Sequence, residues 1–340
     1  MSGIADVARA AGVSKSTASR ALTGRGYVSE HTRSRVRDAA ERLGYVASTN
    51  AASLVTGRTH NIALIVPRVN RWYFGSVIEG VERSLISAGF DLTLFVAEPD
   101  SRDRESLYAH FLARKRFDGV LAVALEPDDD DIERLRDYGK PFLHIGNELP
   151  GITTLGVDNF VIGRMMTEHL LTLGHTDIAF LGRTPPSEPS ARDVDDRSAG
   201  YLAAMTEAGL AGSARLEPAT LTLPDGYAAA ASLLADRTSR PSGIVAACDE
   251  IGIGTMIAAR RLGIAVPAQL SVVAVDGHDY ADMFTLTTIE QDPAAQGEEA
   301  VRLLLEQIAG ADARPVRHSA PARLVVRAST APPAHTLAAV

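Results

Sequence analysis

The stretch IADVARAAGVSKSTASRALTGRGYVSEHTRSRVRDAAERLGY, Ile4 to Tyr45, decides how the rest of this chain is read. Ile4, Val7, Ala8 and Ala11 recur at i, i+3, i+4 and i+7, which stacks them on one face of a first helix. Gly12 tolerates a left-handed backbone and so ends that helix in a sharp turn, after which Ser14 or Lys15 opens a second helix running through Leu22. With Ala18, Ala21 and Leu22 facing the first helix, Lys15, Ser16, Thr17, Ser19 and Arg20 project outward or sideways. Arg and Lys donate to guanine O6 and N7, and small hydroxyl side chains bond phosphates or base edges. A second helix presented in this way is the recognition helix of a helix-turn-helix. Ser29 caps a third helix with Glu30 in its first turn, and Val36, Ala40 and Leu43 form its inward stripe.

Charge agrees with that reading. Residues 1 to 60 hold nine Arg or Lys against four acids, a local +5 in a chain of net charge −8, so the remainder carries −13. A basic end on an acidic body concentrates attraction for phosphates in one place. The 340 residues are 46% hydrophobic and 22% charged, ordinary for a globular chain long enough for two or three domains. One cysteine, Cys248, excludes an internal disulfide framework and suits a reducing cytoplasm. No stretch approaches about 20 uninterrupted apolar residues and the start is a charged amphipathic helix, so neither a membrane span nor a signal peptide is expected.

Three segments, DVARAAGVSKSTASRAL (6–22), YVSEHTRSRV (27–36) and GYVASTNAASLVTGRT (44–59), together resemble the DNA-binding headpiece and hinge of the LacI/GalR family of bacterial transcription regulators. That resemblance implies base contacts from Lys15, Ser16 and Arg20 and phosphate contacts from Thr17, Ser19 and Thr32. It also puts Ala51 and Leu54 on a hinge helix that enters the minor groove, with Leu54 as the wedge at the central base step. Such a wedge costs roughly a few kcal/mol of unstacking, offset by bending DNA onto more protein. Two positions depart from the family: Ala47 replaces a hinge proline, and Gly3 replaces a threonine before the first helix, leaving Ser2 as an alternative cap.

From Asn61 onward short apolar runs alternate with helical patterns. NIALIVP, FDLTLFVA, FDGVLAVAL, PFLHIG and TTLGVD read as strands, interleaved with helices over 77–88, 107–115, 131–138 and 160–173. A second series follows: DIAFLG, helices over 201–208 and 226–234, GIVAAC, a helix over 251–262, and LSVVAVDG. Runs apolar on both faces and separated by helices predict parallel sheets covered on both sides, with a ligand cleft beyond the strand carboxyl ends. Read with the resemblance, the expected fold is an N-terminal all-α helix-turn-helix headpiece plus an α/β core of two doubly wound parallel-sheet subdomains, like a periplasmic binding protein. The expected divisions are headpiece 1–46, hinge and linker 47–59, and core 60–340. Within the core, the N-subdomain takes 60–158 and 291–323, and the C-subdomain 159–290 and 324–332. The chain is expected to cross between them near 158–160, 290–291 and 324–327.

The resemblance also implies an effector pocket. Arg197 in DRSAGY matches an arginine that grips hydroxyls or carboxylates, and Asp276 in VAVDG an aspartate that accepts from sugar hydroxyls or purine nitrogens. Asp249 keeps its usual place, Leu221 stands where relatives offer an aromatic, and Cys248 where they offer Asn or Ser; Gln291 lies at the second crossing. The aromatic run Trp72, Tyr73, Phe74 follows the first core strand, and sugars stack apolar C–H faces on such rings. A sugar or glycoside is therefore the expected effector, in preference to a purine.

No HExxH, nucleophile elbow or phosphate loop is present, so no enzyme, cofactor or metal is expected. GIGT at Gly252 reads as close helix packing, the acids Asp128 to Asp131 as a helix start, and His31, His169 and His175 as surface or capping residues. The expected partners are palindromic double-stranded DNA, a small-molecule effector and a second copy of the chain in a homodimer. The residues after Thr330 contain Pro332 and Pro333 and no leucine heptads, which argues against a tetramerisation helix. The alternative is a periplasmic-type sugar-binding protein without a DNA-binding role.

Overall fold

The computed structural model describes residues 3–23, 26–45, 58–97, 117–137, 139–184, 192–310 and 314–334. The chain forms two compact units, one from Met1–Asn61 with Arg116–Asp118 and one from Ile62–Lys115 with Gly119–Val340. The helix expected over 107–115 lies outside the described residues.

The small unit contains α1 (Ile4–Ala10), α2 (Lys15–Thr23) and α3 (Glu30–Arg42). Its core joins Val7, Ala8 and Ala11 to Ala18, Ala21, Val36, Ala39 and Ala40. Alanines at most of these positions let three short helices approach closely. Gly3 stands at the N-cap of α1 without a side-chain cap, and its own N–H donates to Asp6 Oδ2 at 2.9 Å, while Ser2 lies outside the described residues. Ser29 caps α3 by accepting from Thr32 N–H, as expected. Leu43, expected on the inward stripe, is instead 36% exposed at the helix C-cap, and Ala39 takes the buried position. The reason is periodicity: Val36, Ala39 and Ala40 already complete the face, and Leu43 falls where the helix ends.

The large unit has two six-stranded sheets. The first has the order β11-β5-β4-β3-β1-β2, formed by β1 (Asn61–Val66), β2 (Asp91–Val96), β3 (Gly119–Val123), β4 (Phe142–Ile145), β5 (Thr153–Gly156) and β11 (Arg317–Ser319). The second has the order β12-β10-β9-β8-β6-β7, formed by β6 (Ile178–Arg183), β7 (Arg215–Pro218), β8 (Gly243–Ala246), β9 (Ser271–Asp276), β10 (Thr287–Glu290) and β12 (Arg323–Val325). The β10–β12 pairing is antiparallel, and the other registered pairings are parallel. The central strands β3, β4, β8 and β9 are buried along their whole length, which is why they read as unbroken apolar runs. Crossings between sheets follow β5, follow β10 and separate β11 from β12. The last therefore falls at 320–322, just ahead of the expected 324–327, because Arg323 to Val325 already pair with β10.

Six helices cover the sheets in three close pairs: α4 (Trp72–Ser87) with α10 (Pro293–Ile308), α6 (Asn159–Thr172) with α7 (Arg192–Glu207), and α8 (Leu223–Ala235) with α9 (Asp249–Arg261); α5 is Asp129–Asp137. Each pair crosses on reciprocal glycines. A Cβ on Gly80 would lie 2.0 Å from the Ala294 carbonyl oxygen, and one on Gly297 2.5 Å from that of Val77. Gly163 and Gly200 meet Arg197 O and Phe160 O at 2.0 and 2.1 Å, and Gly226 and Gly254 meet Ile251 Cα and Leu223 O at 2.7 and 2.6 Å. No side chain larger than hydrogen fits at these crossings. His175, expected at the surface or as a cap, is 1% exposed: its ring nitrogens lie 2.9 Å from Ser242 Oγ and the Ala331 carbonyl, fastening the C-terminal segment to the second sheet. His169 similarly reaches Thr330 Oγ1 at 2.9 Å.

Candidate functional site

On α2, Ser14 Oγ accepts from Thr17 N–H at 3.1 Å, so the recognition helix starts with its orphan amide satisfied. Lys15, Ser16 and Arg20 are exposed, while Thr17 and Ser19 are half-buried beside Ala18. Arg20 Nε donates to the Ser16 carbonyl at 3.3 Å, which lays the guanidinium along the helix surface. Gly12 turns the chain at φ 62°, and the Arg35 guanidinium donates to the Ala11 carbonyl beside it, closing the α1 terminus with a charge of the favourable sign. Thr32, half-buried in the first turn of α3, shares a 2.9 Å hydroxyl contact with Ser29. Ala51 and Leu54 lie outside the described residues.

In the large unit, Arg197 is the centre of a buried polar cluster. It sits within α7, which begins at Arg192, nine residues ahead of the start its apolar pattern suggests, because the first turns are acidic and lack a hydrophobic period. Arg197 is 7% exposed; its Nε donates to Asn159 Oδ1 at 2.8 Å and its Nη1 to the Ala247 carbonyl at 2.7 Å. Asn159 in turn donates to Asp193 Oδ1 at 3.0 Å. The guanidinium is therefore aimed by an amide and a strand-end carbonyl, with the crossing at Gly163 fixing the height of its backbone.

Asp276 ends β9. Its carboxylate accepts from Gln291 Nε2 at 2.7 Å, and Gln296 Nε2 donates to the Gln291 carbonyl at 2.7 Å. Its φ of 143° is unusual for a non-glycine residue, and the following Gly277 has φ 77° with a Cβ position only 2.8 Å from Glu290 Cγ. Backbone held in this sparsely populated region costs of order 1–3 kcal/mol and persists where the surroundings over-determine it. Burial raises the carboxyl pKa of Asp276 well above the ordinary range, opposed by the charge of Arg197. Asp193 is raised for the same reason, again opposed by Arg197. Tyr73 stands among these groups: burial first, then the charges of Asp193 and Asp276, raise its phenol, and its hydroxyl donates to Gln296 Oε1 at 3.4 Å.

The other expected pocket residues take different positions. Asp249 is fully buried with both oxygens engaged, accepting from Thr288 Oγ1 at 2.6 Å and from His278 N–H at 2.7 Å, so it holds the β9 end loop in place. Cys248 is the N-cap residue of α9, and burial raises its thiol pKa, which keeps it a protonated apolar group instead of a nucleophile. Phe74 and Leu221 are half-buried and pack against the core. Trp72 has its indole N–H bonded to Asp279 Oδ2 at 2.9 Å and its ring stacked on His278 at 4.8 Å.

Sequence reasoning missed Asn159, Asp193 and Gln296, and a cavity of about 290 Å³ that Asp193 lines. Glu126, His144, Asn147, Arg192 and Asp193 are among its lining residues. His144 staples two of its loops: its Nδ1–H donates to the Asn147 carbonyl at 2.9 Å, and its Nε2 accepts from Leu125 N–H at 3.1 Å. Burial lowers its pKa to about 4, so the ring is neutral. Asp193 joins this cavity to the Arg197 cluster. The whole arrangement can bind a polar molecule rich in donors, with one guanidinium available as a counterpart. Among the described residues no group of three or more His, Cys, Asp or Glu could hold a metal ion, and no helix is long and apolar enough to cross a membrane.

Comparison with known proteins fits this division. Residues 3–48 match the model for bacterial regulatory proteins of the lacI family, and residues 167–330 that for a periplasmic binding protein-like domain. The chain is 33% identical over 319 residues to the HTH-type transcriptional repressor PurR of Erwinia tasmaniensis, covering 91% of each chain. A transcriptional regulator CelR–cellobiose complex superposes with a TM-score of 0.70 at 29% identity, over 97% of this chain and 100% of that one. The lac repressor dimer bound to operator and the anti-inducer ONPF superposes at 0.86 with 25% identity, over 97% and 99%. With a lacI-type helix-turn-helix at its start, a periplasmic binding protein-like core after it and relatives matched over nearly the full length, the chain belongs to the LacI family of bacterial transcription regulators.

Proposed function

We propose that this protein is a cytoplasmic repressor that binds a palindromic operator as a homodimer and is controlled by a sugar or glycoside in the cleft around Arg197. The observation that carries the reading is the built cluster Arg197–Asn159–Asp193 with Asp276 and Gln291, in the same chain as an exposed Lys15–Ser16–Arg20 face. Buried carboxyls held by a single amide donor leave acceptor capacity that hydroxyl groups satisfy. A relative in complex with cellobiose, and another bound to operator as a dimer, support the effector class and the mode of DNA binding. In this reading residues 1–46 read the half-site, 47–59 form the hinge with Ala51 and Leu54 in the minor groove, and 60–340 bind the effector and the second subunit. The effector shifts DNA affinity by its differential affinity for two subdomain arrangements.

A thermal-shift screen of sugars, glycosides and purines tests the cleft, since specific binding to the folded state raises the melting temperature by linkage. A hit is then added to the protein on operator fragments selected from random palindromes. The reading predicts a hit among the sugars and a change in operator affinity when it is present. Binding to no palindrome with a salt-dependent affinity would overturn the regulator assignment.

A further inference from the structure

The segment between β1 and α4 belongs to the first sheet's half of the large unit, yet its side chains bond to the other half. Arg71 donates through Nη1 to the Leu221 carbonyl and lies 3.3 Å from Glu250 Oε2. Leu221 precedes α8 and Glu250 is in the first turn of α9, so one guanidinium joins two elements of the second half. The Arg71 and Glu250 side chains are only 19% and 22% exposed, which shields the pair from the screening that makes surface ion pairs weak. The next residue makes a second, independent connection. Trp72 donates its indole N–H to Asp279 at 2.9 Å and stacks on His278 at 4.8 Å, with the Tyr280 ring tilted against the histidine at 4.9 Å. Asp249 holds the backbone of that same loop.

We propose that Arg71 and Trp72 form a clasp that holds the two halves of the core together without ligand and must release for the cleft to open. Both anchors are near Asp276: the charge of Glu250 acts on its carboxyl, and His278 is two residues beyond it. The clasp therefore sets the fraction of ligand-free molecules that are closed, and through it the apparent effector affinity and the rate of effector entry and release. This regulatory consequence rests on the effector-cleft reading above, whereas the clasp itself rests on the contacts of Arg71 and Trp72.

The chain carries its own reporter, because Trp72 is its single tryptophan. Acrylamide quenching of tryptophan emission is measured on the full-length ligand-free protein, with its radius of gyration from solution scattering. Arg71→Met and Glu250→Gln each remove one side of the ion pair without touching Trp72. The clasp predicts that both raise the quenching constant about twofold or more, that both increase the radius of gyration, and that the double variant goes no further than Arg71→Met, which alone also loses the bond to the Leu221 carbonyl. Cooperative circular-dichroism melting identifies folded variants, and the two substitutions, on different elements, provide independent routes to the same result. Quenching and scattering unchanged in both variants, or effects that add in the double variant, would overturn the proposal. Failure of the effector-cleft reading appears differently, as a ligand screen without hits beside an intact clasp signature.

Discussion

At the scale of single residues, Arg20 and Asp276 have different kinds of importance. Arg20 is exposed and its loss leaves the headpiece core untouched, so Arg20→Ala should melt like the parent while specific operator binding falls about 10- to 100-fold, the value of one good base contact of roughly 1–3 kcal/mol. Operator binding equal to the parent's in a mobility-shift titration would remove Arg20 from the reading face. Asp276 is buried with a raised pKa, so between the ordinary carboxylate range and its folded value the native state holds a proton that the unfolded chain has lost. Its contribution to stability therefore declines as pH rises through that window. Asp276→Asn keeps the oxygen that accepts from Gln291 and cannot ionise. Its melting temperature should gain on the parent's as pH increases from 5 to 8, while binding of the screened sugar weakens at least tenfold, a loss of about 1.4 kcal/mol. His144 has the opposite sign. Its folded pKa of about 4 lies below the ordinary imidazole value, so the stability it contributes is complete above that ordinary value and is lost as pH falls toward 4. The parent should lose melting temperature over this interval more steeply than His144→Gln, which starts lower at neutral pH because the 125–147 staple is weakened.

At the scale of elements, the reciprocal glycines make the helix pairs rigid units and place the site on them. Gly163 lies against the backbone carbonyl of Arg197 itself. Gly163→Ala should force α6 and α7 apart, costing about 1–3 kcal/mol as an overpacking change and displacing Arg197 from Ala247. Calorimetry of the variant with and without the screened sugar checks both effects, and unchanged affinity would show that the crossing does not aim the arginine. The GIGT motif made one of these crossings legible in the sequence, since two glycines inside an apolar helix have no better use. Helix starts were less legible. α4 begins at Trp72 and α7 at Arg192, well ahead of their apolar patterns, because aromatic and acidic first turns carry no 3.6-residue period. Asp193 lies in one of those first turns and was missed with it, whereas the α6 start was placed within one residue and Asn159 carries no motif of its own.

At the scale of the whole molecule, the alternation of apolar runs and helices was enough to define two parallel sheets, and basic clustering enough to separate the headpiece from them. The cleft required more, since Arg71 and Glu250 stand 179 positions apart, in different halves of the core, on either side of the crossing that follows β5. No local pattern encodes that pairing; each residue taken alone is an ordinary surface charge. The resemblance supplied Arg197 and Asp276 through their motifs, but it does not say which partners those side chains take in the fold. Cys248, the chain's one thiol, is 5% exposed at the start of α9, directly before Asp249, and burial keeps it protonated. A thiol so placed should react with a disulfide reagent such as DTNB only when the core gapes, which turns modification rate into a chemical clock for that motion. Arg71→Met should speed labelling and a tightly bound sugar should slow it. Because no other cysteine competes for the reagent, the rate can be read in the unlabelled native chain.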